Sequence, residues 1–168
     1  IQYGECTMPS PQLNNDIGYQ LQLATLTSNH EARQELVDLQ LTPARVTALV
    51  HIREQPGCDQ TELGQRLLVN RAAGMKIANA LAEAGLIERS EGRDRRSRGL
   101  TLTPHGKQVL TDATHRLARA SDRTCQGLTA EEREQLLHLL QKLNASRPSE
   151  MAQSPETEDV STPLPSLP

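Results

Sequence analysis

At 168 residues the chain is long enough for one domain of ordinary size, with some length left over for free ends. It has no Phe or Trp and only Tyr3 and Tyr19 as aromatics, so the core must be built from Leu, Ile, Val and Ala, a composition that favours packed helices over a β-sandwich. A net charge of −3 taken alone argues against a nucleic-acid partner, but residues 57–107 carry nine basic and six acidic side chains, +3, against −6 for everything else, so the positive charge is gathered in the middle of the chain.

No apolar run approaches the length needed to cross a bilayer, and the first residues lack the basic, apolar, small-residue order of a signal peptide, so a soluble cytoplasmic protein without a membrane partner is expected. Cys6, Cys58 and Cys125 are odd in number and far apart, which is neither a disulfide framework nor a zinc spacing and suits a reducing compartment. Met8 followed by Pro9 is a plausible start, which would make residues 1–7 an extension; residues 1–14 are expected to be flexible.

The first predicted helix covers 16–39, with Ile17, Leu21, Ala24, Leu26, Leu36 and Leu39 near helical spacing, and is open to interruption at 27–29. Thr42 before Pro43 is an N-cap followed by proline at the first helical position. It opens a second helix over 44–54 with Val46, Leu49, Val50 and Ile52 inward, ended by Pro56-Gly57. Asp59 and Glu62, three apart, start a short third helix to about Leu67, and Asn70 caps a fourth that runs to Ala84 with Ile77 and Leu81 inward and Gly85 as its stop. Two short helices across a tight Leu-Val turn form a helix-turn-helix candidate.

Residues 86–89 and 99–103 then alternate apolar and polar as strands do, and 90–98 is a charged hairpin loop between them. Thr103-Pro104 repeats the capped-proline start and opens a fifth helix to about Thr124, on Val109, Leu110, Ala113, Leu117 and Ala120. Thr129 with Glu132 is a capping box for a sixth, whose Leu136, Leu137, Leu139, Leu140 and Leu143 are too apolar for a wet surface. The final 23 residues hold five prolines, five serines, four acids and one Arg, so 146–168 is expected to be a disordered acidic tail.

Four strings fall in this order: Gln60-Thr61-Glu62-Leu63-Gly64, then 81–89 (LAEAGLIER), then Asp94-Arg95-Arg96-Ser97-Arg98, then Leu102-Thr103-Pro104-His105-Gly106. Any one is weak; together, at this spacing, they resemble the MarR family of bacterial winged helix-turn-helix transcriptional regulators over roughly 17–144. The resemblance implies a mostly α fold. Residues 42–103 would form the winged helix-turn-helix domain with a two-stranded β-hairpin wing, and residues 15–41 and 104–145 the helical dimerisation region. It implies an obligate homodimer that represses or activates promoters at double-stranded DNA operators and responds to a small phenolic or otherwise anionic effector.

DNA-contact candidates follow from both readings. Arg93, Arg95, Arg96 and Arg98, together with Asp94, lie in the loop after the helix-turn-helix, where a solvated charge run is the plain alternative. In the family the second residue after the wing aspartate enters the minor groove and the aspartate orients it, parts that the resemblance gives to Arg96 and Asp94. Where relatives commonly carry Ser or Thr, the recognition helix has Ala72, Ala73 and Met75, and Gly74 costs it about 1 kcal/mol relative to Ala. Asn70, Arg71 and Lys76 remain as base or phosphate contacts, and Gln60 and Thr61 as phosphate donors at the start of the third helix. Arg45 and His51 on the second helix are candidates to meet an effector carboxylate, with surface or capping charge as the alternative.

No nucleophile elbow, phosphate-binding glycine loop, catalytic carboxylate spacing or paired histidine ligand motif is present, so neither an enzyme nor a metal or cofactor protein is expected. Two alternatives stay open. One is a winged-helix protein-interaction module without sequence-specific DNA binding; the other is a redox-sensing regulator that uses Cys6.

Overall fold

A computed structural model describes residues 11–91 and 98–146. Helix α1 (Pro11–Asn14) is a single turn inside the stretch expected to be flexible, and Asp16 then caps α2 (Ile17–Leu36) by accepting from the Tyr19 N–H at 2.7 Å. The interruption left open at 27–29 is absent, and α2 runs unbroken. Thr25 and Thr27 turn their hydroxyls back onto the carbonyls of Leu21 and Leu23, so residues that favour breaks are satisfied inside the helix. The helix also ends earlier than its apolar pattern suggested, at Leu36, and a 3-10 turn (Val37–Leu39) with Gln40 in the left-handed region (φ 53°) leads out of it.

Thr42 caps α3 (Pro43–Glu54), Asp59 caps α4 (Gln60–Arg66), Asn70 caps α5 (Arg71–Glu83), Thr103 caps α6 (Pro104–Thr124) and Thr129 caps α7 (Ala130–Ala145). Each cap side chain accepts a first-turn N–H, and Asp59 with Glu62 and Thr129 with Glu132 form reciprocal capping boxes. Strands β1 (Ile87–Glu91) and β2 (Arg98–Leu102) pair antiparallel in a register that sets Ile87 opposite Leu102 and Arg89 opposite Leu100. Backbone bonds from Gly57 N–H to Leu100 O and from Leu100 N–H to Cys58 O, both 2.9 Å, add a third, one-residue rung to this wing. The chain is thus mostly helical with a two-stranded sheet as the wing, the architecture expected of a winged helix-turn-helix protein.

The core lies in the winged half. Leu49, Ile52, Leu63, Leu81 and Leu100 are fully buried there, α6 closes it with Leu110 and Ala113, and the side of α3 read as inward supplies Val46 as well. Outside that half almost nothing is buried. Residues 20–30 of α2 are all exposed, and α7 buries no residue at all. No helix among the described residues is long and apolar enough to cross a membrane.

An ion lattice adds to the apolar packing of α2 and α6, in which Leu36 joins Leu110 and Ala113 in the core and Ala32 and Ala120 are buried. Glu35, only 16% exposed, receives Arg119 and Arg123 at 2.7 Å each, while Arg123 also reaches Glu31 at 2.6 Å. One turn away, Arg116 spans the Glu35 carbonyl, Asp38 and Asp112. The Arg123 hydrogen bond, assisted by Arg119 and opposed by burial, holds the Glu35 carboxyl below its ordinary range. A depressed carboxylate contributes stability that is complete above the unfolded-state pKa and lost as the pH falls toward the folded one. Glu35→Gln is therefore expected to be less stable than the parent near neutrality, with the gap closing in acid. Urea unfolding of both at about pH 7 and about pH 3 measures it, and a gap that does not close would remove Glu35 from the clamp.

Candidate nucleic-acid interface

The turn between α4 and α5 places Leu68 at φ 55°, with Val69 N–H returning to Gly64 O at 3.1 Å. The two helices cross at two glycines. A methyl on Gly74 would stand 3.0 Å from the Gly64 Cα, so the residue that costs α5 helix propensity lets α4 approach it. Ala78 and Leu81 are buried on the same face of α5 and Ile77 is half-buried beside them. The opposite face, with Ala72, Met75, Lys76 and Asn79, is exposed, as is Arg71 at the first position of the helix.

On this frame the sequence-predicted contacts separate. Arg71, at the first position of α5, and Lys76, on its outward face, are exposed and form no ion pair among the described residues. Asn70 spends its side-chain oxygen on the Ala73 N–H at 2.9 Å, which leaves its amide N–H groups for a ligand. At the start of α4 the Thr61 and Glu62 N–H groups are taken by the Asp59 carboxylate at 2.7 and 2.8 Å. That end therefore presents two carboxylates, Asp59 and Glu62, and offers phosphate only the exposed Thr61 hydroxyl and the half-buried Gln60 side chain. Backbone donation from Gln60 and Thr61 as a helix N-terminus is thereby weakened, because the cap has consumed it.

Arg93, Asp94, Arg95 and Arg96 lie outside the described residues, as do Cys6 and the tail from 147 onward, and Arg98 is described only through its backbone in β2. One contact absent from the sequence reading joins the wing to the recognition helix: the Arg89 guanidinium on β1 donates to the Asn79 side-chain oxygen on α5. The pair is ten residues apart with a strand and turn between, so no periodicity signals it. It sets a cation at the seam between helix and wing.

Arg45 and His51 do not come together. Arg45 donates to the Gln40 carbonyl at 3.2 Å and lines a cavity of about 430 Å³ with Asp38, Leu41, Ala84, Leu86 and His105, between the 3-10 turn, the end of α5 and the start of α6. His51 is not among its walls and lies beside Glu54, 3.8 Å away. Cys58 is fully buried next to the wing, and burial pushes its thiol up, away from the reactive thiolate. No cluster of His, Cys, Asp and Glu able to hold a metal occurs among the described residues.

A helix-turn-helix whose second helix leaves Arg71 and Lys76 exposed, followed by a β-hairpin packed on the same core, is the architecture of winged-helix DNA-binding proteins. The sequence model described as MarR family matches residues 39–97. The HTH-type transcriptional regulator BilQ of Clostridium symbiosum (strain WAL-14163) is 30% identical over 124 residues, 73% of this chain and 83% of that one. Among solved structures, the transcriptional repressor CouR bound to a 23-mer DNA duplex superposes with a TM-score of 0.74 at 32% identity, covering 80% of this chain and 96% of that one. The Mycobacterium tuberculosis MarR family protein RV2887 in complex with salicylic acid does so at 0.65 and 26%, covering 76% and 96%. The chain belongs to the MarR family.

Proposed function

We propose that this protein is a cytoplasmic homodimeric repressor that binds a pseudo-palindromic operator in double-stranded DNA and lets it go when a small anionic, aromatic ligand or its thioester binds. The observation that carries the reading is the exposed surface of α5, where Arg71 at the first position and Lys76 on the outward face have no carboxylate partner among the described residues. A relative of the same fold, CouR, is a repressor seen on a duplex. Two copies related by a two-fold axis need half-sites about 10 base pairs apart, one helical turn. Sequencing the duplexes that the purified chain retains from a random pool tests this, and enrichment of an isolated half-site bound by a monomer would overturn it.

Recognition of an anionic aromatic is supported by the salicylic acid complex of RV2887 and by the cavity beside Arg45. Arg45 and His105 line that cavity together with the apolar Leu41, Leu81 and Val109, the two kinds of surface such a ligand needs, and the Asp38 carboxylate in the same wall is paired with Arg116. A bound ligand would act through the 3-10 turn, whose Asp38 is held by Arg116 of the α2–α6 lattice, and so reset the angle between the terminal helices and the winged half. His51, outside that cavity, has no part in this version of the site. Titration of phenolic acids and their thioesters against the protein–DNA complex measures it, and no release by any of them would count against it.

In the wing, Arg96 is expected to be the most damaging single arginine to lose. Phosphate contacts from Arg93, Arg95 or Arg98 are replaceable and mainly set the salt slope. An arginine in the narrow minor groove, oriented by Asp94, meets concentrated negative potential that nothing else supplies. Arg96→Ala should cost about 1–3 kcal/mol of operator binding, Asp94→Ala less, and the two together less than their sum. Wild-type affinity for Arg96→Ala, with binding abolished by Arg93→Ala or Arg98→Ala, would reassign the wing tip.

A further inference from the structure

The exposed stripe of α5 is half apolar. Ala72, Met75, Lys76 and Asn79 fall at i, i+3, i+4 and i+7, one face of a helix, opposite the buried Gly74, Ala78 and Leu81. Met75 is 43% exposed in the middle of this stripe, and Ala72 continues the apolar surface one turn earlier. Neither side chain gains anything from phosphate. The polar members narrow what else the helix can read. Arg71 and Lys76 are donors only, suited to guanine O6 and N7 or to phosphate, and Asn79 is tied through its oxygen to Arg89. No carboxylate occurs on α5 before Glu83 in its last turn, so the stripe has none to accept from a cytosine amino group.

In the major groove a base edge offers one apolar group, the thymine 5-methyl. We infer that Met75 reads a thymine methyl in each half-site of the operator, with Lys76 and Arg71 anchoring the helix beside it; this rests on the DNA-binding reading above. The unbranched thioether suits the task, because its rotors and polarisable sulfur fit it to a methyl whose position varies with local groove geometry. One methyl removed from water corresponds to about a fourfold change in affinity, and to about fifteenfold when both half-sites of a dimeric complex lose it.

The test uses the full chain and a duplex selected by it from a random-sequence pool. Thymines of the selected duplex are replaced by deoxyuridine, one symmetric pair at a time, which removes the methyl and leaves base pairing unchanged. Affinities are measured at one salt concentration for the parent and for Met75→Ala, whose fold is checked by circular dichroism. The expected result is one symmetric thymine pair at which uracil weakens parent binding about fifteenfold and no longer matters to Met75→Ala, with the salt slope the same in both proteins because no phosphate contact has changed. The uracil series on the parent needs no variant, so the inference stays testable even if Met75→Ala were to unfold. Parent affinity unmoved by uracil at every position, or the full uracil penalty persisting in Met75→Ala, would overturn methyl reading while leaving DNA binding intact. Salt-sensitive binding to no duplex at all would overturn the DNA-binding reading, and the inference with it.

Discussion

Gly106→Ala is expected to destabilise the chain by about 3 kcal/mol and to lower its melting temperature by about 10 °C. In an open helix the same change would stabilise, since alanine exceeds glycine in helix propensity by about 1 kcal/mol. Here a Cβ would stand 1.9 Å from the Leu86 carbonyl oxygen and 2.8 Å from its carbon, backbone atoms that no rotamer change can move. That carbonyl is also fixed from the other side. It accepts the Thr103 N–H at 3.1 Å, while the Thr103 hydroxyl donates to Gly85 O at 2.7 Å and accepts the Gly106 N–H at 2.9 Å. Seating the methyl means lifting the start of α6 off the junction of α5 and β1 and stretching all of these bonds together. The clash exceeds the propensity gain because it acts on the packing of three elements, not on one dihedral. Gly127→Ala, with nothing within 4 Å of the added methyl, is the control and should shift stability by no more than about 0.5 kcal/mol. Thermal unfolding of the two variants decides, and a Gly106→Ala protein that melts with the parent would show that the junction yields.

How much of this was legible in the sequence follows from how local each interaction is. Helix starts at Thr42, Asp59, Asn70, Thr103 and Thr129 could be read because a cap is a bond between residues two or three apart. Composition left a break open at 27–29, and it does not display that Thr27 can back-bond to the Leu23 carbonyl inside the helix. The third rung of the wing at Cys58 was illegible because one residue has no periodicity. Arg116, Arg119 and Arg123 carried no signal, because their partners Glu31, Glu35 and Asp38 lie 78 to 92 residues away in the chain. Gly74 read as a cost for the same reason, since its benefit is the approach of Gly64. For the interface, the identity of the recognition helix was legible and its outward face was not, because the assignment of Met75 and Asn79 to solvent depends on which side α4 covers.

The second large effect is expected from α7. Leu136, Leu137, Leu139 and Leu143 are 40% to 57% exposed, and within its own chain the helix is held through its first turn, where Arg133 reaches the carbonyls of Asp122 and Cys125 and the Asp122 carboxylate. A helix of 16 residues that buries none of them is marginal in water, and a leucine face of this size on a soluble surface calls for a partner. The first half of α2 is in the same condition, with Ile17 75% and Leu26 61% exposed, and a groove lined by Ile17, Leu21, Ala24 and Leu136 joins the two helices. On the two-fold operator proposed above, the occupant is a second copy of the chain, which would meet the same leucines twice. Placing a charge at Leu139 therefore loses two buried leucines per dimer. At about 2 kcal/mol each this is about 4 kcal/mol, close to a thousandfold in the dimer dissociation constant. Leu139→Glu should accordingly sediment as a folded monomer at concentrations where the parent is a dimer, since the winged core is untouched. Operator affinity should fall with it, because each half-site is then bound alone. A parent that sediments as a monomer, or a Leu139→Glu protein that stays dimeric and holds the operator as before, would move the two-fold axis away from α7.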